Sequence, residues 1–162
     1  MGKLAYEVGN TYEQAGTNVV NGSILFSAYR LLIDLLALPE EGLIPRYAFN
    51  RSLLTTTDNL TVRLRSTLAY VDRVMQPLEQ AQMARPDAAL IVDEFRLAAD
   101  LLRHGAKRLL LIMGDTSMNK ADLCAELEEL QTRYRTIWLT RNRPGGLAES
   151  IGRMEDACAA YR

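Results

Sequence analysis

Four stretches of this chain repeat one apolar rhythm, and that rhythm restricts the fold more than any other feature. Leu60, Leu64, Leu68, Val71, Met75 and Leu78 follow one another in steps of three and four. Ile91, Phe95, Ala98 and Leu102 do the same, and the phase continues through Leu109 and Ile112. Leu123, Leu127, Leu130, Tyr134 and Ile137 form a third series, and Leu147, Ile151, Met154, Cys158 and Tyr161 a fourth. Such spacing puts every apolar side chain on one face of a helix. No stretch alternates as a half-buried strand would; Arg108 to Met113 could be a buried strand by composition, yet it keeps the helical phase of the residues before it. The expectation is an all-α fold, an antiparallel bundle of about five or six helices joined along these stripes.

Breaker residues set the boundaries. A first helix is expected over Lys3 to Ala15, ended by Gly16, and a second from Ser23, a suitable N-cap, to Leu38 before Pro39. Glu40 to Thr57 reads as irregular. Asp58 can cap the third helix, which Pro77 should kink or break. Pro86 can open the fourth, Gly114 to Ser117 closes it, Ser117 or Asn119 caps the fifth, and the sixth starts near Gly146. With no repeat and no linker, residues 1–162 read as a single helical domain.

Charge excludes some partners. Lys and Arg number 19 against 20 Asp and Glu, so the net charge of -1 offers no field to draw in nucleic acid or an anionic membrane. The longest apolar stretch, Ile24 to Leu38, is interrupted by Ser27, Tyr29, Arg30 and Asp34 and would not span a bilayer. Residues Met1 to Tyr12 lack a basic region followed by an apolar run, which makes the cytoplasm the expected location. The Asn-X-Ser/Thr triplets at Asn21 and Asn59 then carry little weight as glycosylation sites.

The usual reactive constellations are weak here. His104 is the lone histidine, and Leu101 stands where a di-iron bundle would want a glutamate, so a capped or surface histidine is expected. Cys124 and Cys158 lie on the apolar stripes of their segments, as small buried thiols would; their separation is not that of a zinc pair, and a disulfide requires their helices to pack side by side. Asp93 and Glu94 are adjacent on a helix and diverge by about 100°, so they cannot converge on one bond. Glu126, Glu128 and Glu129 read as a wet face, with Glu129 placed to pair with Arg133. No Gly-X-Ser-X-Gly or Walker loop occurs, and neither a cofactor nor a metal is expected.

What remains is the corner WLTRNRPGGL, Trp138 to Leu147, joining the last two helices. Arg141 and Arg143 are fork-shaped donors, Asn142 lies between them, and Pro144, Gly145 and Gly146 end a helix and admit close backbone approach. Near the start, Tyr6, Asn10, Tyr12, Asn18, Asn21 and Phe26 set amides beside rings. Trp138, Arg141, Asn142, Arg143, Asn10 and Asn21 are the candidates for docking on a partner surface or contacting a sugar; the alternative is a structural turn, core aromatics and turn-forming asparagines.

The segments WLTRNRPGGLAESIGRMEDACAAYR, EVGNTYEQAG, NGSILFSAYRLL and VDEFRLAADLLRHGAKR together resemble the helical C-terminal region of bacterial family 20 glycoside hydrolases, the three-domain exo-acting β-N-acetylhexosaminidases. The resemblance spans most of residues 4–162 and is most specific at Arg141-Asn142-Arg143, Gly145-Gly146-Leu147, Gly9-Asn10 and Asn21-Gly22. It implies a parent enzyme whose catalytic (β/α)8 barrel lies upstream and removes terminal N-acetylhexosamine with an Asp-Glu pair and the substrate's own acetamido group. This chain would then be an excised, non-catalytic accessory domain that packs on the barrel, completes a homodimer or shapes the substrate rim. Asp93-Glu94 is not that pair, because it lies mid-helix in another domain. The contrasting expectation is a stand-alone helical interaction or dimerisation module with no hydrolase parent; a small-molecule enzyme using Cys124 or His104 trails both.

Overall fold

The expected breakers cut the chain into helices, as seen in a computed structural model that describes residues 1–15 and 57–161. In order these are α1 (Gly2–Gly9), α2 (Thr11–Ala15), α3 (Thr57–Met75), a 3-10 turn (Gln76–Gln80), α4 (Ala88–Ile112), α5 (Lys120–Arg141) and α6 (Leu147–Ala159). Among the described residues there is no strand, and the fold is all-α. The expected second helix, Ser23 to Leu38, and the irregular stretch after it lie outside the described residues, as does Asn21.

Local chemistry explains most helix ends. Pro77 lacks an N–H and ends α3, sitting instead in the first turn of the 3-10 segment. Gly114 takes a positive φ of 83° just past α4, while the Asp115 amide reaches back to the Leu110 carbonyl. Of the two caps considered for α5, Asn119 serves: its Oδ1 accepts the Ala121 amide at 2.8 Å. Ser117 turns to Asp115 instead, through both its amide and its hydroxyl. The expected single helix from Lys3 to Ala15 is in fact two, broken at Asn10. There Thr11 Oγ1 donates to the Val8 carbonyl, a local bond that competes with helix continuation.

The helices pack in chain order, α1 and α2 on α3, α3 on α4, α4 on α5, and α5 on α6. Side-chain pairs show that successive long helices run antiparallel. Arg103, past the middle of α4, reaches Asp72 near the end of α3, and Arg96 nearer its start reaches Glu79 just beyond it. Lys107 late in α4 meets Glu126 early in α5, while Arg141 at the end of α5 returns to Glu94 near the start of α4.

Three apolar clusters hold this order. Leu64, Val71, Leu78, Ala106, Leu109 and Leu110 form the largest, between α3 and α4, and Leu4 and Val8 of α1 pack against it. Leu97, Leu101 and Leu130 join α4 to α5, and Leu123, Leu127, Ala157, Cys158 and Tyr161 join α5 to α6. Thus α5 serves two neighbours, with Leu130 toward α4 and Leu127 toward α6. Among the described residues no helix is long and apolar enough to cross a membrane.

Candidate functional site

The Trp138 to Leu147 corner is built from the inside out around the indole. Tyr134 and Trp138 are one helical turn apart on α5 and stack with ring centroids 5.7 Å apart and planes inclined by 28°. The indole N–H donates to the Arg143 carbonyl at 3.0 Å, which draws the chain back over the ring. At Asn142 the amide still reaches the Trp138 carbonyl at 2.7 Å, and its φ of -128° then turns the backbone extended. Gly146 opens α6 with φ of 81°, where any added Cβ would stand 3.5 Å from Trp138 Cζ2. Glycine is needed here for the left-handed backbone; the ring itself leaves a Cβ in ordinary van der Waals contact. Leu147 then enters the core at 7% exposure.

Arg141 fastens the corner to α4. Its Nε and Nη2 clasp Glu94 Oε1 and Oε2 at 2.7 and 3.0 Å, and Nη1 reaches Asp87 Oδ2 at 2.9 Å. This is the bidentate geometry for which a planar guanidinium is suited. The two carboxylates push the Arg141 pKa further up, Glu94 most and Asp87 next. Asp87 is in turn held down at about 2 by hydrogen bonds from Arg85 and Arg141. Asp87 precedes α4 but its side chain does not cap the helix, being taken up by the two arginines.

Above this clasp lies an open groove of about 560 Å³, lined by Glu94, Leu97, Tyr134, Ile137, Trp138, Arg141 and Asn142. Of the candidate docking residues it unites Trp138, Arg141 and Asn142. Arg143 is exposed and contributes its carbonyl to the corner without lining the groove. Asn10 sits at the α1–α2 break, on the side of the bundle that packs on α3. Asp93 and Glu94 diverge as expected, one toward Arg96 at 3.7 Å and the other to Arg141.

A second polar cluster departs from the expectation. His104, expected capped or on the surface, is fully buried, with Nε2 3.0 Å from the Tyr161 hydroxyl and Nδ1 3.7 Å from Glu126 Oε1. Arg108, 2% exposed, donates to the Ala157 carbonyl at 3.2 Å and stacks its guanidinium 4.8 Å from the centre of the Tyr161 ring. Burial raises the Tyr161 pKa, and Arg108 pulls it partly back. Glu126, expected on a wet face, is half-buried; burial would raise its pKa, but His104 and Lys107 outweigh that and hold it below the ordinary range. Arg133 bonds Asp100 at 2.7 Å, in place of the expected Glu129 pairing. A signal for this cluster is legible in the sequence: Leu97, Leu101, His104 and Arg108 step by four, three and four, a second stripe whose last members are polar.

Below this cluster α5 and α6 are joined covalently. Cys124 and Cys158 form a disulfide, so the alternative to free buried thiols is the one realised once α6 packs along α5. Glu128 Oε1 lies 3.6 Å from Cys124 Sγ and 3.7 Å from Cys158 Sγ. These three side chains are the described residues whose ligand atoms converge as a metal would require, all within 4.8 Å of one another.

Set beside known proteins, the chain matches no family model, no curated protein and no solved structure.

Proposed function

We propose that this chain is the helical accessory domain of a β-N-acetylhexosaminidase, docking on the enzyme's catalytic barrel through the Trp138 to Leu147 corner and doing no chemistry itself. The observation that carries the reading is a coincidence of place. Of the four segments most specific to the resemblance, two, Arg141-Asn142-Arg143 and Gly145-Gly146-Leu147, build the corner beside the open groove, while Gly9-Asn10 lies at the α1–α2 break and Asn21-Gly22 outside the described residues.

The physical state of these residues fits docking better than catalysis. Arg141 is held by two carboxylates on α4, and Trp138 by a stacked tyrosine and a backbone carbonyl. Groups so fixed make a surface of stable shape, which lowers the entropy lost when a partner is bound. Leu139, next to Trp138 and 53% exposed, adds apolar area at the same end of α5.

The test is the reading frame in which the chain is encoded. A (β/α)8 barrel bearing an adjoining Asp-Glu pair ahead of the helices supports the proposal. A frame that encodes these helices with no barrel overturns it and favours the interaction module.

A further inference from the structure

We infer that the α5–α6 junction becomes a binding site for a borderline divalent metal ion of the zinc class when its disulfide is reduced, with Cys124, Cys158 and Glu128 as ligands. Cys124 and Glu128 are four residues apart on α5 and so share a face, and Cys158 arrives on that face from α6. Two thiolates and a carboxylate are a donor set that zinc takes, with water filling the fourth tetrahedral position.

Distances favour this arrangement. With Zn–S near ~2.3 Å and Zn–O near ~2.1 Å, tetrahedral geometry puts a carboxylate oxygen about 3.6 Å from each sulfur. Glu128 Oε1 already stands 3.6 and 3.7 Å from the two sulfurs. On reduction the sulfurs part to the ~3.8 Å edge that a tetrahedron with these bond lengths requires, and the Glu128 carboxylate closes in by roughly half an ångström to keep its distance to both.

The redox step balances with a dithiol reductant. The S–S bond breaks, two electrons and two protons give the Cys124 and Cys158 thiols, and the dithiol closes to its own disulfide. Metal binding then forms two metal–sulfur bonds and one metal–oxygen bond and releases both thiol protons to water. A reducing compartment keeps such a pair as thiols and an oxidising one as the disulfide. The same junction is thus stapled covalently in one setting and by metal in the other.

Cobalt(II) titration of the chain tests this, after reduction with dithiothreitol and its removal under argon. Reduced wild type should show a thiolate-to-cobalt charge-transfer band saturating at one ion per chain and displaced by zinc; the untreated, disulfide-bonded chain should show none. Glu128→Gln leaves both cysteines in place and should weaken cobalt by about tenfold or more, since even partners outside the ligand sphere are worth about 10–100-fold. Should reduction loosen α6, zinc should restore helical ellipticity to wild type and not to the Cys124→Ser/Cys158→Ser variant. No band in the reduced chain, or Glu128→Gln binding as tightly as wild type, overturns the site.

Discussion

Asp87 illustrates how much a single side chain at the corner is committed. Its carboxyl is held at about 2 against an ordinary 3.8, by Arg85 and Arg141. A lowered folded-state pKa means the charged form favours the fold. The contribution is therefore complete above about pH 4 and fades as pH falls toward about 2. Acid titration followed by circular dichroism should show wild type losing stability across that window, with Asp87→Asn flatter there. An Asp87→Asn curve of the same slope contradicts the clasp. Gly146→Ala tests the other side of the corner, because its backbone sits at φ of 81° with Trp138 3.5 Å from a new Cβ. Urea unfolding should show a loss of about 1–2 kcal/mol, the penalty of a left-handed backbone for an L-residue, with a shifted indole emission. Tyr161→Phe removes the hydroxyl facing buried His104 Nε2 and should lower stability by about 1–3 kcal/mol.

At the scale of elements, α5 ties the bundle together, since it faces α4 through Leu130 and α6 through Leu127. Leu127 is fully buried and Leu130 is 3% exposed. Truncating either to Ala should cost about 2–5 kcal/mol in urea unfolding; unchanged midpoints would dislodge both from the core. The disulfide between α5 and α6 closes a separation of 34 residues, and its reduction should lower stability by about 2–4 kcal/mol in metal-free buffer. The long helices are legible in the sequence because a single face of three-and-four spacing suffices to define each of them. The first segment is not, because the Asn10 break depends on Thr11 bonding its own backbone, a choice that apolar spacing does not encode. His104 is marked only by its place on the second stripe with Leu97, Leu101 and Arg108, and Glu126 carries no such mark. Residue type alone sends polar side chains to water, whereas packing of α5 on α4 buries these two as mutual partners.

Across the described helices, chain order becomes spatial order, and each long helix lies antiparallel to the next along its stripe. That arrangement is readable from stripe phase and short connections. The groove is not, because its walls come from Glu94 and Leu97 on α4 and from Tyr134 to Asn142 on and just after α5, residues brought together only by the crossing of the two helices. The corner's residue types flag the place, and the structure supplies the clasp of Arg141 on Glu94 and Asp87 that makes it rigid. The proposed role, an accessory domain whose catalytic carboxylates would belong to another part of its parent, is tested by hydrolysis of p-nitrophenyl N-acetyl-β-D-glucosaminide. The product of the whole reading frame should release p-nitrophenol, and this chain alone at equal concentration should release none above buffer. Turnover by the isolated chain, or an inactive whole product, would rule the accessory-domain role out.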